Sequence, residues 1–221
     1  MVFRSRTEAG RRLAVALASF AGQDVVVLAL PRGGVPVAAE VAAALQAPLD
    51  LALVRKIGAP GEEELAIGAV AEVAGGPPVT VRNEQVIAAA GVDEATFADL
   101  HARQLAEIGR RRALYLAGRP PAAVAGRVAI VVDDGVATGA TTRAALRAVR
   151  ARNPRRLVLA IPIAAGESLA RLRAECDDIV CLEAPDAMGA IGLYYVDFRQ
   201  VPDEIVVEIL RRFPPTQRAD D

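Results

Sequence analysis

Short, almost uninterrupted apolar runs recur along the chain: Asp24–Leu30 (DVVVLAL), Leu49–Arg55 (LDLALVR), Arg127–Asp133 (RVAIVVD), Arg155–Ile163 (RRLVLAIPI) and Asp178–Glu183 (DIVCLE). A strand with one wet face alternates apolar and polar residues, whereas a strand covered on both faces is apolar nearly throughout. Between the runs lie VPVAAEVAAALQ, TTRAALRAVRAR and ESLARLRAE, whose apolar positions fall at helical spacing. Strands alternating with helices predict an α/β fold, a parallel β-sheet with helices on both faces.

Two segments depart from this rhythm. AIGAVAEV and PVTVR flank Gly75, Gly76, Pro77 and Pro78, which predicts a hairpin or flap at the sheet edge, with Glu62–Glu64 as solvated loop charges. Asp93 to Ala117 reads as one long helix, with Ala95, Leu100, Leu105, Ile108 and Leu116 near one side and Arg110, Arg111 and Arg112 on a solvated one. The expectation is a single domain over 1–221, with a helical insertion at about 83–119, a small hood at about 184–200 and a frayed tail at 213–221. At the start, Arg11 and Arg12 precede an apolar run as in a secretory signal. Ala9, Leu13, Leu17 and Phe20 instead continue a helical pattern into the first strand, so an amphipathic first helix is expected.

Composition narrows the function classes. With 26 basic and 27 acidic residues the net charge is −1, so no global field draws a polyanion and nucleic acid is not the expected partner. Cys176, Cys181 and the single His101 supply no ligand set for zinc, and no metal site is expected within the chain itself. Two thiols form no disulfide framework, which fits a reducing cytosol. No stretch of about 18 uninterrupted apolar residues predicts a membrane span. Of the 26 basic residues only Lys56 is lysine. A lysine retained against that bias is a candidate for work that a compact, mobile ammonium does better than a guanidinium.

The densest chemistry lies in Ala129 to Thr142, AIVVDDGVATGATT. A buried strand ends in Asp133 and Asp134, a loop of small residues follows from Gly135 to Ala140, and Thr141 and Thr142 open a helix. Ligands of parallel sheets bind beyond the carboxyl ends of strands. Small residues let backbone N–H groups approach an anion, and a helix N-terminus adds a favourable dipole. Carboxylates beside an anion loop suit sugar hydroxyls, so the combination describes a sugar phosphate. GVATGAT lacks the lysine of a Walker A loop, and no GxGxxG occurs.

These residues resemble the phosphoribosyl-pyrophosphate signature of the type I phosphoribosyltransferases, in which a hydrophobic strand runs into two acids and then A-T-G-x-T. Here that turn is Ala137, Thr138, Gly139, Ala140 and Thr141. The resemblance implies that Asp133 and Asp134 hold the ribose hydroxyls and that the loop holds the 5-phosphate. It also places PRGG, with Arg32, Gly33 and Gly34, at the family's pyrophosphate loop. VRKIGAPGEEELAIGAVAE looks like a subgroup of uncharacterised bacterial members and would begin a mobile flap that carries Lys56 to the pyrophosphate. MGAIGLYYVDF would lie in the hood, where Tyr194 and Tyr195 either stack on an acceptor base or pack into a small core. Family enzymes that use 6-oxopurines carry Asp at the first loop position, and this chain has Ala137. The implied activity is a cytoplasmic glycosyltransferase of nucleotide metabolism, with Mg²⁺ bound mainly through phosphoribosyl pyrophosphate. It would transfer phosphoribose to a nitrogen of a small-molecule acceptor. A regulatory protein that binds phosphoribosyl pyrophosphate without turnover is the alternative, and assembly into a homo-oligomer is left open.

Overall fold

The computed structural model describes residues 2–73, 75–185 and 188–214. Five strands, β1 (Val25–Ala29), β2 (Leu49–Ala59), β5 (Val128–Val132), β6 (Arg156–Ile163) and β7 (Asp178–Glu183), run parallel in the order β2-β1-β5-β6-β7. Every residue of β1 and β5 is buried, as their unbroken apolar pattern requires. Strands β3 (Glu62–Val73) and β4 (Val79–Arg82) extend the same sheet antiparallel beyond β2. The sheet is therefore mixed. The hairpin expected around Gly75 is present as β3–β4, but a second hairpin precedes it, because β2 runs on to Ala59 and turns at Pro60–Gly61. Glu62–Glu64 correspondingly begin a strand rather than a loop, although they remain exposed.

Helices cover both faces. Leu13 of α1 (Arg6–Ala16) and Leu17, which follows it, pack with α2 (Gly34–Leu45) and with Val206, Ile209 and Leu210 of α7 (Asp203–Arg211) in one core. Ala144, Leu146 and Val149 of α5 (Ala140–Arg150) join Leu169 and Leu172 of α6 (Gly166–Leu172) in the other. The insertion holds a short helix, α3 (Glu84–Ala89), and then α4 (Glu94–Tyr115), the long helix expected from Asp93 to Ala117. The Asn83 and Asp93 side chains each accept an N–H from the first turn of the helix that follows. The arginine run on α4 is occupied: Glu107 pairs with Arg110 and Arg111, and Arg112 bonds Glu72.

Asp50 is buried at 1% exposure and accepts the N–H groups of Leu51 and Ala122. Burial raises its pKa, and the two N–H bonds oppose the rise. Arg119 gathers the carbonyls of Leu49, Leu210 and Phe213, which ties the start of β2 to the end of α7. Phe213, placed in the expected tail, instead packs against the core, and residues 215–221 of that expectation lie outside the described residues. Among the described residues no helix is long and apolar enough to cross a membrane.

Candidate functional site

The acidic pair and the small-residue loop stand where strand ends present ligands, at the carboxyl end of the buried β5. Three contacts fix the loop. Val136 N–H donates to Ile163 O at 2.9 Å, Ala165 N–H donates to Val136 O at 3.0 Å, and the Ser168 hydroxyl donates to Ala137 O at 2.5 Å. Gly139 turns the chain into α5 at φ +78°, a left-handed conformation that favours glycine. Ala137 and Thr138 are exposed at the tip. The first N–H groups of a helix have no partner within it, so α5 opens with donors aimed past this loop.

PRGG meets the acids directly. A Cβ on Gly33 would lie 2.0 Å from Asp134 Oδ2, and one on Gly34 would lie 2.7 Å from Val132 O. Gly33 has an ordinary φ of −59°, so close approach rather than unusual backbone requires glycine there. The Pro31–Arg32 peptide is cis. Arg32 Nη1 reaches Asp203 Oδ1 at 3.4 Å, and the Tyr115 hydroxyl donates to the same oxygen. That hydroxyl, and then Arg32, lower the Asp203 pKa, while burial and the Asp203 contact push Tyr115 up to about 12.

Asp134 is more heavily engaged than the sequence suggests. Its Oδ2 accepts from Arg6 Nε at 2.7 Å in an ion pair whose side chains are 11% and 12% exposed. Its carbonyl accepts from the Tyr195 hydroxyl at 2.6 Å, and its N–H donates to Asp133 Oδ1 at 2.9 Å. Arg6 also donates to Arg199 O at 2.8 Å, and its guanidinium lies 4.0 Å from the centre of the Phe198 ring. Burial first, and the Asp134 charge second, raise Asp133 well above its ordinary pKa, and a hydrogen bond between the two side chains adds to the rise.

The expected site residues are thus only partly brought together. Arg32 to Gly34 and Asp133 to Thr141 form one continuous wall. Lys56 sits instead on the β2–β3 arm, 2.9 Å from Glu64 Oε2. Tyr195 is corrected as a stacking face: it is 5% exposed, packed between Phe3 and Phe198, with its hydroxyl spent on Asp134. Tyr194 joins the same small core at partial burial, and its carbonyl accepts the Phe3 N–H. Two residues were not anticipated. Arg6 looked like an ordinary helix-start charge, and only the tertiary contact with Asp134 distinguishes it. Arg143 did leave a signal, since a cation in the first turn of a helix opposes the dipole. It lines a cleft of about 190 Å³ with Thr138, Gly139 and Arg171, and its buried Nε has no partner among the described residues.

With this geometry in place, a family model described as the phosphoribosyl transferase domain matches residues 6–199. The chain belongs to that family. The fold agrees: the crystal structure of TT1426 from Thermus thermophilus superposes with a TM-score of 0.81 at 45% identity, covering 97% of this chain and all 100% of that one. Two Mycobacterium tuberculosis proteins, named provisionally as phosphoribosyl transferases, are 44% identical over 211 residues, 96% of this chain. Those residues make up 47% of each relative, so the chain spans about half the length of the curated relatives it matches.

Proposed function

We propose that the chain binds phosphoribosyl pyrophosphate with Mg²⁺ and transfers phosphoribose to a nitrogen nucleophile, releasing pyrophosphate. The observation that carries this reading is the contact of Gly33 with Asp134. It presses the loop suited to pyrophosphate against the carboxylates suited to ribose, so one ligand spans both. The tip of the α5 loop and the unpartnered Arg143 Nε supply donors for the 5-phosphate. No group of three or more His, Cys, Asp or Glu close enough to cage a metal occurs among the described residues. Mg²⁺ is commonly held by one or two carboxylates together with substrate phosphates, and Asp133 and Asp134 supply that kind of donor. The residues therefore fit an ion that arrives with its diphosphate. When bound, it would neutralise charge gathering on the leaving pyrophosphate.

The remaining chemistry belongs to the chain. Arg32 and the backbone at Gly33–Gly34 receive the departing diphosphate, and Lys56, carried by the arm, adds a second cation there. Such preorganised donors act where charge develops. The acceptor is a small molecule gripped by the hood. Because Ala137 offers no base toward a purine ring, hypoxanthine and guanine are expected to be poor acceptors.

The regulatory alternative draws support from Tyr195, whose inward ring offers no platform to an acceptor base. Pyrophosphate release across a panel of bases and amines separates the two readings. Turnover with one acceptor, falling about 10²- to 10³-fold in both kcat and kcat/KM for Lys56→Ala, is the expected result. Binding without release for every acceptor would favour the regulatory reading. Calorimetry in which a folded Asp133→Asn, Asp134→Asn double variant binds phosphoribosyl pyrophosphate as the parent does would overturn both.

A further inference from the structure

The loop fixes the backbone of Arg32 but not its side chain. Gly34 N–H donates to Leu30 O at 3.0 Å, Val35 N–H donates to Arg32 O at 3.1 Å, and Gly33 has no room to shift against Asp134. Several side-chain torsions still separate the guanidinium from that backbone, and left free they spread its charge over many rotamers. The Arg32 side chain is 26% exposed, and its one ion pair among the described residues runs from Nη1 to Asp203 Oδ1. Asp203 opens α7, which Val206, Ile209 and Leu210 seat in the core. The same Oδ1 accepts from the hydroxyl of Tyr115, the last residue of α4, whose ring is buried in that core. Two helices thus converge on one carboxylate oxygen beside PRGG.

On charge alone a carboxylate is a poor neighbour for a group that must meet diphosphate, because it repels the ligand. Orientation supplies a reason for it. A guanidinium presents its N–H donors in a rigid fork. The contact with Asp203 uses Nη1 and leaves the edge formed by Nε and Nη2 unspent, an edge able to bond two phosphate oxygens at once. The Tyr115 hydroxyl, set by a ring held in the core, steadies the carboxylate in turn. We propose that Asp203, steadied by Tyr115, is a positioning residue that holds Arg32 ready for the diphosphate. The role rests on the phosphoribosyl reading of the site. In it the ligand meets Arg32, and Asp203 acts only through Arg32.

Calorimetric titration of the whole chain with phosphoribosyl pyrophosphate and Mg²⁺ tests it, because charge and position predict opposite signs. Asp203→Ala removes a negative charge, so charge alone predicts tighter binding. Positioning predicts weaker binding, by roughly two- to tenfold, the cost of immobilising one long side chain afresh. Asp203→Asn keeps an oxygen for Arg32 and Tyr115 and is expected to recover most of the affinity. Tyr115→Phe keeps the buried ring, is expected to weaken binding less, and carries the same comparison should Asp203→Ala fail to fold. An acid in the first turn also favours α7 itself, so the deciding comparison is made in Arg32→Ala. There Asp203→Ala is expected to cause no further weakening, whereas a role in the helix alone would weaken binding equally in both backgrounds. Parental or tighter binding by folded Asp203→Ala overturns the proposal, as does equal weakening with and without Arg32. In both cases the proposed function stands, because the parent still binds phosphoribosyl pyrophosphate. A parent that binds none overturns the proposed function and the positioning role with it.

Discussion

Gly33 and Gly58 both stand where a methyl group has no room, yet their surroundings have little else in common. At Gly33 the obstacle is the Asp134 carboxylate, itself held by Arg6 in a nearly dry pocket. At Gly58 it is the Glu63 carbonyl, 2.4 Å from the would-be Cβ, in a hairpin whose register shifts on either side of Gly58. The wall around Asp133 and Asp134 is built of mutually bonded groups, while the arm is a ladder of backbone bonds carrying exposed charges at its tip. One wall is preorganised. The other is anchored separately, with Ile57, Ala59 and Ile67 packed against Ile87 and Phe97 in a small core of their own.

Arg6→Leu breaks the Asp133–Asp134 wall at its hub. Removing one partner of a buried pair leaves the other charge uncompensated, which costs roughly 3 to 5 kcal/mol. Thermal unfolding is expected to register a larger loss here than for substitutions at Gly33, Asp133 or Glu64, with Arg6→Lys recovering part of it. Gly33→Ala comes next. Overpacking costs about 1 to 3 kcal/mol, and the displaced Asp134 should weaken phosphoribosyl pyrophosphate binding as well. A Gly33→Ala protein with parental affinity would show that the two loops adjust to each other freely.

Asp133→Asn tests the electrostatics of the same wall. A carboxyl whose pKa is raised on folding binds more protons folded than unfolded, so stability falls as pH rises from its ordinary value of about 3.8 toward the folded value. Asn keeps a donor for Asp134 and never acquires the charge. The variant should therefore unfold at higher temperature than the parent near neutrality, and this advantage should vanish in acid. A constant difference across pH would show that Asp133 does not titrate as its burial implies. The smallest effect is expected on the arm. Glu64→Gln loosens an exposed ion pair, and stability should change by less than about 0.5 kcal/mol.

Much of the wall around Asp133 and Asp134 was legible in sequence because its signals are local. A buried strand, two acids, small residues and a helix start follow one another within Ala129–Thr142, and the fold only had to keep them in order. The arm was not legible in the same way. AIGAVAEV reads as an apolar run, but whether it pairs with β2 or stands apart depends on a turn at Pro60–Gly61 whose neighbours Glu62–Glu64 carry the composition of a loop. Arg6 was hidden for another reason. Its partner lies 128 positions away, and nothing near Ser5 or Thr7 marks it. Tyr195 shows the remaining ambiguity, since the same aromatic pair in a short segment suits a stacking face or a core until Phe3 closes over it.

The pairing of β2 with β1 stops at Leu51, whereas β2 continues to Ala59 against β3. An arm long enough to lean out from the sheet thereby acquires a sheet edge, a row of main-chain donors and acceptors that another strand could join. The sequence along that edge reads as protection against unwanted pairing. Arg55 and Lys56 put charge on it, and the register shifts around Gly58 kink it before it can serve as a straight template. Neutralising both charges would therefore show itself first in concentration-dependent self-association of otherwise folded protein.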